Sequence, residues 1–261
     1  MASRLSGGRS AWNLDRIASE IHGLRAPRGD SEALVHEVPP PPFWAVVRFL
    51  FASPVLRNVV IAGTLTAFAG YASVIWVPIY LVRIHGMGTG EAGTYLALTL
   101  GVGGAIGIYL GGRIADHLGK KYGEHWLAWL VAIVGLISVP FMLLCFFAET
   151  AETAILAYAI PAFLGTIYVA CGFALIQNHT PLEMRSVCAA INLFILNIIG
   201  LGLGPFTIGL LSDLFEPSMG QDSLRYGLLA TLVAIVLGCW YYYRTGAFIL
   251  RTRDRAIVSS L

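Results

Sequence analysis

The residues best placed to do chemistry in this chain form one short stretch, Gly112-Arg-Ile-Ala-Asp116-His-Leu-Gly119-Lys120-Lys121. A carboxylate three residues before a glycine and two lysines can accept charge-assisted hydrogen bonds from the open N–H groups of a helix start or from a basic side chain. Glycines at 112 and 119 permit a tight turn, and the two lysines would hold a loop at the inner face of a membrane. A solvated turn with basic anchors accounts for the lysines but leaves the spacing G-x-x-x-D-x-x-G-[KR]-[KR] unexplained. Arg185 is the only in-chain basic residue at a neighbouring helix entrance that could meet Asp116; the alternative is a partner outside this chain.

A second set of polar and aromatic residues sits inside apolar runs: Thr64, Tyr71, Trp76, Asn192 and Asn197. An asparagine in lipid demands hydrogen-bond partners, so Asn197 is either glue between helices or a ligand in a cavity. Thr64, Phe68 and Tyr71 share a helix face, where ordinary packing explains them as well as solute contact does. No Asp, Glu, Lys, Arg or His falls in the middle of any apolar run, so the chain offers no proton-relay carboxylate at membrane depth. The same absence argues against a membrane enzyme, which needs a nucleophile with its base, an aspartate pair or a histidine. Cys145, Cys171, Cys188 and Cys239 each lie in an apolar run without a CxxC pair, and read as small hydrophobes. No metal or cofactor is expected.

Which elements position these residues follows from composition. Apolar residues make up 57% of 261 positions and charged ones 12%, with a mean hydropathy of +0.73, which is a membrane composition. The net charge of +2 and scattered basic residues exclude a nucleic-acid binder. Six runs are long enough to cross the hydrocarbon core: residues 59–82, 93–112, 126–148, 153–176, 187–211 and 226–243. They lack two-residue polar alternation, and lipid demands internal backbone pairing, so they predict six transmembrane helices in an all-α membrane protein. Residues 1–42 read as a polar tail or inter-domain loop, with no apolar signal sequence. Residues 43–56 read as a short interfacial helix, 57–250 as the transmembrane domain and 251–261 as a second tail. The amino-terminal segment through Arg57 shares one side with Arg113, Lys120, Lys121, Arg185, Arg244, Arg251, Arg253 and Arg255, against Arg83 and Arg225 on the other. The bias predicts both termini in the cytoplasm.

Glycine placement adds packing information. Gly103, Gly107 and Gly111 recur every four residues and predict a close helix approach. Gly200, Gly202, Gly204 and Pro205 would soften or kink the fifth span, as a hinge or through close packing.

The ten-residue stretch resembles the signature that the major facilitator superfamily carries between its second and third helices and repeats in weaker form between its eighth and ninth. The stretches Arg83-Ile-His85-Gly-Met-Gly-Thr-Gly90-Glu91-Ala-Gly93, Gln177-Asn-His-Thr-Pro181-Leu-Glu-Met184-Arg185-Ser and Asn197-Ile-Ile-Gly200-Leu-Gly202-Leu-Gly204-Pro205 are similar to spinster-like transporters. His117 departs from the family's usual arginine or lysine. The likeness covers residues 24–250 and implies helices seven to twelve of a twelve-helix fold, built from two three-helix repeats of inverted topology. It further implies alternating access, a small organic or lipid-like solute, a bacterial inner membrane, and an amino-terminal six-helix half or a second copy as partner. A non-transporting membrane scaffold or inactive transporter fragment, and a small self-assembling exporter, are the alternatives.

Overall fold

The computed structural model describes the backbone of residues 42–259 and the side chains of 42–254. The expectations for residues 1–41 lie outside the described residues. Every regular element described is helical. Helix α1 covers Phe43–Ala52 and α2 Pro54–His85. Helix α3 (Thr89–Leu98) continues through a π-helical turn, Thr99–Gly103, into α4 (Gly104–Tyr122). Helix α5 spans His125–Phe146, followed by α6 (Ala151–Leu164) and α7 (Ile167–Asn178). Helix α8 (Arg185–Ile195) passes through a second π-helical segment, Leu196–Leu203, into α9 (Gly204–Met219), and α10 runs over Ser223–Ser259.

Four of the apolar stretches, Pro54–His85, Thr89–Tyr122, His125–Phe146 and Ala151–Asn178, each match one bilayer crossing. A fifth, Leu182–Asp254, is 73 residues long and far exceeds one crossing. It folds back at Gly220, whose φ of 57° admits glycine and disfavours other residues, so that α9 and α10 pack side by side. Counting both limbs gives six membrane-length helical passes among the described residues.

Local chemistry sets the boundaries. Ser53 accepts from the Leu56 N–H at 3.5 Å and Pro54 occupies the first turn of α2, where its missing N–H costs nothing. The helix stops at Gly86, with φ 66°, as Met87 N–H reaches back to Leu81 C=O at 3.3 Å. Its last turns bury Tyr80 and Leu81 among Cys145, Phe146, Leu224 and Leu228, which fastens α2 to α5 and α10. The Tyr80 hydroxyl lies 3.0 Å from Cys145 C=O and 3.1 Å from Phe146 C=O, so it satisfies carbonyls that the end of α5 leaves open. Beside it, Arg225 stands 5.9 Å from the Tyr80 ring and pairs with Asp222 at 3.1 Å. Arg253 reaches the Tyr122 carbonyl at 3.5 Å at the other end of α10.

Small residues bring the helices together, though not all those expected. A Cβ on Gly107 would strike Phe163 C=O and the Thr166 hydroxyl, and one on Gly111 would come within 2.6 Å of Ile167. Gly103 faces open space, and Gly104 takes its place against Thr166. The π turn at Thr99–Gly103 is the reason: it shifts the helix face by one residue just before the contact begins.

Candidate functional site

The face of α2 carrying Tyr71 and Trp76 packs on the π-helical segment Leu196–Leu203 and the start of α9. Gly200 and Gly204 allow this contact, because a Cβ on either would sit 3.0 Å from Ala67 and Tyr71 or 2.7 Å from Phe68 C=O. Close packing is thus present at the glycine-rich turn, and the π-helical winding supplies the local softening. Two polar contacts cross the seam. The Tyr71 hydroxyl donates to Asn197 Oδ1 at 3.2 Å, and Trp76 Nε1 donates to Pro205 C=O at 2.8 Å. Asn197 also donates through Nδ2 to Leu193 C=O at 2.7 Å, which fixes its amide with the oxygen toward Tyr71.

Two cavities adjoin at Tyr71 and Tyr168, and the smaller reaches this seam at Leu196 and Asn197. The larger, about 260 Å³, is lined in part by Thr66, Ser73, Ser138, Tyr158 and Thr166. The smaller, about 110 Å³, is lined in part by Gly63, Gly172, Asn192, Asn197 and Tyr242. Tyr71 and Tyr168 line both. The buried hydroxyls of Ser73 and Tyr242 have no hydrogen-bond partner among the described residues, so each cavity holds an unsatisfied polar group. No charged side chain lines either cavity. The chemistry on offer is hydroxyl and amide hydrogen bonding against aromatic rings.

Of the residues singled out in the sequence, Tyr71, Asn192 and Asn197 line these two cavities. Thr64 does not: it is buried with its hydroxyl bonded to Val60 C=O of its own helix at 2.7 Å. Trp76 lines neither cavity and acts as a strut to Pro205. Ser73, Tyr168 and Tyr242 also line the cavities, although their sequence context does not single them out. Ser73 is two residues from Tyr71, and Tyr242 belongs to a Trp-Tyr-Tyr-Tyr-Arg cluster that resembles an interfacial aromatic belt.

The ten-residue stretch needs correction. Residues 112–121 were expected as a loop with glycine turns, but all lie within α4. Ala115 is buried and Gly119 approaches Leu127, so the segment gains by packing as helix, and Lys120 and Lys121 complement the negative end of its dipole. The chain reverses at Gly123 instead, with φ 107°. Gly112 meets no neighbour, and Asp116 is exposed and forms no ion pair with Arg185. Arg185 Nε donates to Thr180 C=O at 3.1 Å. The adjoining tie is Glu124 with His179, 3.1 Å apart, joining the start of α5 to the end of α7. Burial alone would raise the Glu124 pKa, but the close polar contact and charge of His179, with the neighbouring Asn178, outweigh it and hold the carboxyl below its ordinary value.

The four cysteines are free and buried. Among the described residues no group of three His, Cys, Asp or Glu side chains could hold a metal ion.

Comparison with known proteins supplies the family. The model described as Major Facilitator Superfamily matches residues 18–205. The chain is 34% identical over 180 residues to an MFS-type efflux pump of Mycolicibacterium smegmatis, covering 69% of this chain and 42% of that protein. It is 27% identical over 217 residues to a sphingosine-1-phosphate transporter of Danio rerio, covering 75% of this chain and again 42% of the relative. Its fold aligns with the crystal structure of a bacterial homologue of the human lysosomal transporter spinster, inward-facing and unoccupied, with a TM-score of 0.74. That alignment has 22% sequence identity and covers 90% of this chain and 56% of the other. The chain therefore spans less than half the length of the two curated relatives. With helices of membrane length and this match over most of its length, the chain belongs to the major facilitator superfamily and is related to its spinster-like transporters.

Proposed function

We propose that the chain is the carboxy-terminal half of a secondary transporter that moves a small organic or lipid-like solute by alternating access. The observation that carries this reading is the Tyr71–Asn197 hydrogen bond, placed where two cavities meet and beside a π-helical turn. A polar pair across a seam of glycines gives a solute a place to exchange hydrogen bonds. The neighbouring turn can rewind without losing many contacts. Tyrosine rings and unpaired hydroxyls favour an amphiphile with a hydroxyl or amide group. A charged head group would draw its counter-ion from elsewhere, because neither cavity contains a cation.

The second pass, α3 to α4, is the least buried of the five stretches, and Val102, Ile106 and Tyr109 on it are exposed. This fits a face that meets a partner half or a second copy. Both termini are assigned to the cytoplasm of a bacterial cell, in line with the arginine and lysine bias.

The test is the purified chain in liposomes under an imposed pH gradient, with labelled lysolipids and organic anions, alone and with a co-expressed amino-terminal half. Accumulation only with the partner is expected. The spans hold no ionisable residue at mid-depth to link proton binding to a change of state. Gradient-driven accumulation by the chain alone would overturn the half-carrier assignment, and no accumulation in either arm would favour a scaffold.

A further inference from the structure

Between α5 and α10, outside the two cavities, lies a groove of about 500 Å³, whose wall includes Trp126, Trp129, Ile133, Leu136, Trp240 and Tyr243. Leu136, Trp240 and Tyr243 are exposed, so this apolar surface faces out of the bundle. The wall is held in shape by the protein. Trp129 Nε1 donates to Tyr243 C=O at 3.3 Å, and the two rings lie within 16° of parallel. Gly246 leaves the room that the Trp129 indole occupies.

One end of the groove is rimmed by cations. The Arg244 guanidinium sits 4.6 Å from the Trp240 ring centre. Tyr122 packs on Trp126 with ring centres 5.5 Å apart, and carries Lys121 at 5.1 Å over its ring and Arg253 at 3.5 Å on its carbonyl. None of the three cations forms an ion pair among the described residues. Of the acidic residues nearby, Glu124 is engaged by His179 and Asp254 follows Arg253 in sequence, so positive charge prevails at this rim.

We infer that the groove between α5 and α10 binds an anionic phospholipid, with an acyl chain along the aromatic wall and the head group at the basic rim that Lys121, Arg244 and Arg253 form. Charge complementarity selects this occupant. An apolar slot alone accepts any acyl chain, but three unpaired cations at its mouth favour a head group with net negative charge. The site shares no lining residue with the cavities at Tyr71 and Asn197.

The full chain in non-ionic detergent, titrated with phosphatidylglycerol or phosphatidylcholine bearing identical brominated acyl chains, reads occupancy as quenching of tryptophan fluorescence. Three of the six tryptophans line the groove. Half-maximal quenching is expected at a phosphatidylglycerol fraction about fivefold or more below that for phosphatidylcholine. Arg244→Gln and Arg253→Gln together should abolish that preference, whereas Arg83→Gln, at the other end of the bundle, should leave it intact. Trp126→Phe with Trp240→Phe should remove most of the quenching seen at low phosphatidylglycerol. Equal quenching by the two lipids, a preference that survives the double arginine variant, or undiminished quenching in the double tryptophan variant would each overturn the site.

Discussion

Tyr71 and Asn197, 126 positions apart in the chain, share a hydrogen bond of 3.2 Å that spans the seam between α2 and the π-helical segment Leu196–Leu203. A bond of this kind between membrane helices contributes about 0.6 kcal/mol on average, so Tyr71→Phe should lower unfolding free energy in detergent by no more than ~1 kcal/mol. If the pair exchanges bonds with solute as proposed, transport by a complete carrier should fall much further, about tenfold or more. Full transport by Tyr71→Phe would reduce the pair to packing.

The two glycines of the second pass make opposite predictions. Gly107→Ala drives a methyl into Phe163 C=O and the Thr166 hydroxyl, and backbone cannot swing aside, so a loss of roughly 1–3 kcal/mol is expected. Gly103→Ala meets nothing within 4 Å and should be neutral, or more stable by up to about 1 kcal/mol through helix propensity. Unfolding midpoints in detergent measure both. Equal midpoints would mean that α4 does not rest on α6 and α7 as described.

The contrast between these glycines also shows what the sequence could and could not reveal. Apolar run length located the helices because lipid leaves the backbone no alternative to internal pairing. A period of four was read correctly at Gly107 and Gly111 but failed at Gly103, because a π turn changes the phase and has no reliable signature in residue types. The same kind of error turned residues 112–121 into a loop: glycine and charge signal a turn locally, while burial of Ala115 and the contact of Gly119 with Leu127 are tertiary. In the cavities, Asn197 stood out because an amide in lipid is costly. Ser73 and Tyr242 did not, since a hydroxyl can be satisfied by its own helix, as Thr64 is.

Orientation can be tested by reporter fusions whose sites the fold now refines. Thr150 accepts from the Thr153 N–H at the start of α6, and Gly220 marks the reversal between α9 and α10, so both lie in turns at one end. Gly123 and Arg251 belong to the end rich in lysine and arginine. Alkaline phosphatase fused after Thr150 or Gly220 should be active, and fused after Gly123 or Arg251 inactive. The reverse pattern would place both ends of the described bundle outside the cytoplasm.

Glu124 and His179 give the basic end a defined dependence on pH. The Glu124 carboxyl titrates below its ordinary 4.5, since the His179 and Asn178 contacts outweigh the effect of burial. The folded state therefore binds this proton more weakly than the unfolded chain does. The resulting stabilisation is complete above the unfolded value and is lost as pH falls through the lower, folded one. Partial exposure of both side chains lets solvent screen the pair and keeps the effect modest. Glu124→Gln should thus be slightly less stable than the parent from neutrality down to about pH 5, with the gap closing as the pH drops further. His179→Asn should move the closing point up toward the ordinary carboxylate range, because it removes the charge that holds Glu124 down. Thermal unfolding midpoints of the three proteins across pH 3 to 7 provide the measurement. A gap that stays constant to pH 3 would show that the carboxylate gains nothing from His179 in the folded state.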